Sequence, residues 1–168
     1  TDKKAERVVM LSICGQRGGL VVSQTRLVSF GKLSPDLEER HRSVVQIEAE
    51  MFKQTFAGNS LGQIFASTVA AYERSGFPEE WKLHHQGGPA GYKGREGVVT
   101  PGQEGIVLAD QAFAWNPTIS GTKAEDTIIA TATRPEILGQ ISEWPYLEVK
   151  AGEQQYLRPD ILVRETWY

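Results

Sequence analysis

The stretch RVVMLSICGQRGGLVVSQTRLVSFG, residues 7–31, decides the fold. Its first part, RVVMLSICG (7–15), is apolar and rich in β-branched residues, and it predicts a buried strand. QRGG follows as a turn, because Gly18 and Gly19 are free to take positive φ. LVVSQTRLVSFG (20–31) predicts the return strand, so the whole is a hairpin. Cys14 lies within the apolar run and reads as a buried, inert thiol.

Working outward, SPDLEERHRSVVQIEAEMFKQTF (34–56) predicts a helix. Ser34 suits the N-cap and Pro35 the first helical position. Leu37, Val44, Ile47 and Met51 recur at helical spacing, and His41 on the same helix reads as a packing or surface residue. AGN breaks the pattern, and Ser60 with Gln63 then makes a capping-box pattern. Leu61, Ile64, Phe65, Thr68 and Tyr72 predict a second amphipathic helix that ends near Gly76 and Pro78.

From residue 82 onward there is no helical period. The strand-like runs are KLHHQGG (82–88), GIVLADQAFAWNP (105–117), EDTIIATATRPEIL (125–138), YLEVK (146–150) and ILVRETW (161–167). A hairpin, two helices and an antiparallel meander make an α+β plan over one domain, residues 1–168.

Composition narrows the function. The 168 residues are 40% hydrophobic and 23% charged, ordinary for a globular chain with a substantial core. A net charge of −3 without a basic cluster argues against nucleic acid or an anionic membrane as partner. No apolar run approaches transmembrane length, and TDKKAERVVML lacks a signal-peptide core. One cysteine excludes a disulfide framework within the chain and any cysteine-based zinc site, which suggests a reducing cytoplasm. GGPAG (87–91) lacks the Gly-Lys-Ser/Thr ending of a phosphate loop.

Three pieces carry chemistry in order: GGLVVSQTR closing the hairpin, HHQGGPAGY after the second helix, and FAWNPTISGTKAEDTIIAT in the meander. In order, spacing and motif shape the chain resembles, over residues 7–135, the pita-bread family of creatinase, prolidase and methionine aminopeptidase. The resemblance implies a pita-bread-like domain, a curved antiparallel sheet with helices on one face. In that family two hairpin aspartates, a His-x-x-Gly histidine and two glutamates bind two divalent metals that activate a water against a peptide bond.

Carried over, the two aspartate positions fall on Ser12 and Ser23, the second just before Thr25-Arg26. The histidine falls on His85 with Gly88 as the turn glycine, the glutamate before proline on Asn116, and the last glutamate on Glu125. Three anionic ligands are thus neutral, which removes the charge a dinuclear site relies on. No metal is expected; an Mn, Co or Zn ion, if bound, would use His85, Glu125 and Asn116. Creatinase sets the metal-free precedent, using a histidine upstream of the hairpin. That segment would precede residue 1, so the chain is expected to be the C-terminal part of a longer protein, lacking the first helix and strand.

The resemblance assigns His85 and Glu125 as catalytic, a carboxylate raising the imidazole pKa in an acid–base pair. Substrate contacts are expected from Asn116, Tyr92, Arg95, Ser12 and Ser23, with Arg95 suited to a substrate carboxylate. His84 and Asp126 would point away from the cleft if each lies on a strand. Phe113 and Trp115 read as core. Three readings stand open: a metal-free hydrolase of the Xaa-Pro aminopeptidase/creatinase type acting on a short peptide or small C–N-bonded substrate, a non-catalytic binding module, and a metallopeptidase with an altered site. An N-terminal domain of the same protein and a homodimer are the implied partners.

Overall fold

The structure, a computed structural model, describes residues 7–165. The opening hairpin forms as read: β1 (Val8–Arg17) and β2 (Leu20–Phe30) pair antiparallel around Gly18 and Gly19, whose φ values are +59° and +85°. Positive φ at both central residues matches the twist of the flanking strands. The helices follow as α1 (Pro35–Gln54) and α2 (Leu61–Arg74). Ser34 Oγ accepts from Leu37 N at 3.2 Å, and Ser60 Oγ accepts from Gln63 N at 3.4 Å. The reciprocal half of the capping box is supplied differently, because Ser60 N–H donates to Asn59 Oδ1.

Beyond the helices come β3 (Gly87–Ala90), β4 (Ala112–Trp115), β5 (Thr118–Ile119), β6 (Thr122–Lys123), β7 (Asp126–Ile129), β8 (Glu136–Ile137), β9 (Tyr146–Ala151), β10 (Gln154–Pro159) and β11 (Leu162–Arg164). They form four sheets, ordered β1-β2-β11, β3-β4-β7-β8, β5-β6 and β9-β10. The α+β plan holds, but it is not a pure meander. The last strand returns to the first hairpin and pairs parallel with β2, Leu162 opposite Val28. Of the predicted strand ILVRETW, Thr166 and Trp167 lie outside the described residues. Strand β10 escaped the sequence reading because its alternating residues include Arg158 and Pro159, which are buried here.

Residues Val44, Ile47 and Met51 of α1 pack with Ile64 and Tyr72 of α2 against Phe113, Trp115 and Tyr156. Phe113 and Trp115 are fully buried, their rings stacked at 5.3 Å, and Trp115 Nε1 donates to Thr55 Oγ1 at 2.9 Å. Each such side chain contributes about 1.5–3 kcal/mol on burial.

The expected burial of the first strand is corrected. Nearly all of β1 is exposed, including Met10, Leu11 and Ile13, and Cys14 is an exposed thiol. A strand is buried only when elements cover its faces. Here β1 is the free edge of its sheet, and α1 packs over β5, β6, β9 and β10 instead.

Beneath the sheet junction lies a buried ion network. Arg158 bonds Glu48 at 2.6–2.7 Å and also Asp126, while Arg26 Nη2 bonds Asp126 Oδ1 at 2.9 Å. Burial pushes the Glu48 carboxyl up to about 7 against the pull of Arg158. His41 is buried too, its ring nitrogens on Thr122 Oγ1 at 2.8 Å and Pro159 O at 3.0 Å.

Candidate functional site

Ser12, Arg95 and Glu125, three of the side chains named from the sequence, meet where the hairpin sheet meets the loop before β7. Alternation along β2 turns Ser23 and Thr25 to one face. The register sets Ser12 opposite Thr25 and Cys14 opposite Ser23 on that face. Thr25 pairs with Glu125 through an isolated antiparallel bridge, its N–H donating to the Glu125 carbonyl at 2.9 Å. The two sheets are stitched together at the candidate residue itself.

The Glu125 carboxylate is saturated. It accepts from the Thr25 hydroxyl and from Ser12 Oγ at 3.3 Å. Arg95 Nη2 lies 2.8 Å from Oε1 and Lys123 Nζ 3.0 Å from Oε2. Burial alone would raise this carboxyl, but the Thr25 hydroxyl, Lys123 and Arg95 together hold it below the usual range.

Glycine delivers Arg95. A side chain at Gly88 would meet the carbonyl of Gly97 at 2.4 Å, and Gly87 has φ +98° with Ala114 O 2.2 Å from where a Cβ would sit. The glycine pair lets loop 93–99 lie directly on β3, with Val99 N on Gly87 O at 2.9 Å and Glu96 N on Pro89 O at 2.7 Å. Gly88 is therefore required by close backbone approach rather than by turn geometry.

The expected His85–Glu125 acid–base pair is not formed. The His85 ring has no hydrogen-bond partner among the described residues, and its pKa is lowered, not raised. Burial, His84, Arg95 and Lys123 all press it down, outweighing Glu125. His84 and His85 are not on a strand and do not point oppositely: they precede β3 with rings stacked at 4.5 Å, His84 Nδ1 on His85 O at 2.7 Å. Both line a groove of about 190 Å³ with Trp81, Val98, Val99 and Pro101.

The remaining candidates divide. Asn116 is buried, with Oδ1 lacking a partner among the described residues. Ser23 Oγ sits 3.2 Å from Cys14 Sγ. Tyr92 is 77% exposed and flanks Gly19 at the hairpin tip, apart from the Glu125 cluster. Asp126 turns away from Glu125, as its strand position implied, into the buried ion network. Sequence reading missed Lys123, Thr25 and Cys14 as site residues. The signal for Lys123 was its place two residues before Glu125, on the same face of an extended segment.

This donor set does not fit a dinuclear divalent centre. Ser12, Ser23 and Asn116 offer neutral oxygens, and the single carboxylate is already paired with two cations. Among the described residues no group of three or more His, Cys, Asp or Glu side chains converges. No helix among them is long and apolar enough to cross a membrane.

No protein-family model and no curated protein matches the chain. Solved structures do. Dipeptidase PepE from Mycobacterium ulcerans is similar with a TM-score of 0.79 at 19% identity, covering 99% of this chain and 43% of that one. The X-Pro aminopeptidase of Thermotoga maritima MSB8 gives 0.76 at 19%, covering 98% and 44%. The N-terminal domain of FACT complex subunit SPT16 from Cicer arietinum (chickpea) gives 0.66 at 14%, covering 79% and 36%. The chain thus has the pita-bread fold of these proteins and spans less than half the length of each.

Proposed function

We propose that this chain is a metal-free domain of the prolidase and aminopeptidase fold whose cleft binds a short peptide or small amide compound without hydrolysing it. One observation carries the reading: Glu125, the one carboxylate left from the expected ligand set, is held by Arg95, Lys123 and Thr25. A carboxylate so engaged is a poor metal ligand and a poor base, since its lone pairs are occupied and its proton affinity is reduced. The similar structures named as a dipeptidase and an X-Pro aminopeptidase motivate peptide as the ligand class. The similar domain from a complex subunit supports a binding role for this fold.

A second reading, metal-free hydrolysis, is favoured by His85 alone. Its lowered pKa keeps the imidazole neutral and able to accept a proton at neutral pH. The two readings separate in one experiment. The protein is incubated with Gly-Pro, with and without chelator, and both binding heat and free proline are measured. Binding without proline release supports the binding module. Release that survives chelator and vanishes in His85→Ala establishes the hydrolase.

A further inference from the structure

Resting on that binding reading, we infer that the ligand of this cleft carries an anionic group, a carboxylate or phosphate, seated against Arg95 and Lys123. The charge count leads there. Two cations face one carboxylate, Glu125, at side-chain exposures of 15%, 12% and 6%. The neighbouring network closes on itself, Arg26 and Arg158 against Asp126 and Glu48, and has no charge to lend. Glu96, next in the loop, is turned to the Lys93 backbone N–H at 3.1 Å. One unit of positive charge therefore stays uncompensated in a half-buried place, where Coulomb attraction is stronger than in water.

Donors remain for a ligand. Arg95 Nε is buried with no partner among the described residues, and Lys123 pairs with no carboxylate there besides Glu125. The hydroxyls of Ser12 and Thr25 line the same face but already donate to Glu125, so the ligand's donors are the two cations. A guanidinium fork beside an ammonium is a combination suited to an oxyanion. Glu125 becomes a positioning residue, the strut that aims both cations. In this reading the fixed cations take up the charge that metals would supply elsewhere in the fold, and the preferred ligand changes sign at that point.

The test is calorimetric titration of the purified protein with inorganic phosphate, Gly-Pro and the C-terminal amide of Gly-Pro. The free acid is expected to bind about tenfold or more tighter than the amide. Lys123→Met should abolish that preference and Lys123→Arg should keep it, which separates charge from folding damage. Phosphate competing with Gly-Pro identifies a general oxyanion seat; Gly-Pro binding unaffected by phosphate, with the acid preference intact, identifies a seat for peptide carboxylates. Equal affinity for acid and amide overturns the anion inference and leaves the binding reading standing. No binding of any probe overturns both. Proline release overturns the binding reading alone, and the anion inference then stands or falls on the KM ratio of acid to amide.

Discussion

Thr25 and Glu125 are joined twice across the sheet boundary, once through the backbone at 2.9 Å and once from hydroxyl to carboxylate. The first bond holds two sheets together and the second lowers the cost of keeping a carboxylate buried. Replacing Thr25 with Val keeps the shape and the backbone bond but strips a donor from a charged acceptor. The expected loss is about 1.5–3 kcal/mol, read from urea unfolding. A loss under about 0.5 kcal/mol would show that the hydroxyl is idle.

Gly88 controls Arg95 from a distance. Gly88→Ala drives a methyl into the Gly97 carbonyl, expected at 2.4 Å. It should cost about 1–3 kcal/mol and weaken ligand binding through displacement of the loop. Gly91→Ala, whose nearest neighbour is a side-chain atom of Glu96 at 3.5 Å, is the near-neutral control.

Divalent metal should leave the protein unchanged. A ligand at a hundred times its Kd adds about 2.7 kcal/mol to stability, which raises the melting temperature by several degrees. With Mn²⁺, Co²⁺ or Zn²⁺ at about 1 mM, no rise is expected from the donors available. A rise lost in His85→Ala would mean that neutral Ser12, Ser23 and Asn116 suffice as ligands.

His41 makes stability pH-dependent. Burial holds its pKa below the ordinary histidine value of 6.5 despite the Pro159 carbonyl and Asp160. The folded state thus favours the neutral ring. That contribution is complete above about pH 6.5 and is lost as pH falls through the lower folded value. Glu48 has the opposite sign: its pKa, raised to about 7, contributes stability that is complete below the ordinary glutamate value of 4.5 and lost as pH rises through about 7. Comparing wild type with His41→Gln between about pH 5 and 7 isolates the histidine, because Glu48 is common to both. A pH slope identical in the two proteins would refute the assignment.

Cys14 should react in the folded protein. Its exposed thiol beside Ser23 predicts one equivalent of labelling by a disulfide reagent without denaturant. Labelling only after unfolding would restore the buried thiol read from the sequence.

The sequence by itself determined the local elements and supplied the candidates for the site. The glycine pair at residues 18–19, the N-caps Ser34 and Ser60, and the period of Val44, Ile47 and Met51 act over a few residues, so each was legible without a fold. The resemblance to the pita-bread family named Ser12, Ser23, His85, Asn116 and Glu125, each carried over by its place in a motif. Tertiary structure alone decided burial, charge pairing and the role of each group. It exposed β1, turned the final strand parallel, stacked His84 on His85, and moved Arg95 and Lys123 onto Glu125. Those outcomes depend on which faces are covered and which charges meet across 30 residues or more of chain, as Arg95 and Glu125 do. Exposure and Coulomb energy depend on distance in space, and spacing along a chain does not contain it.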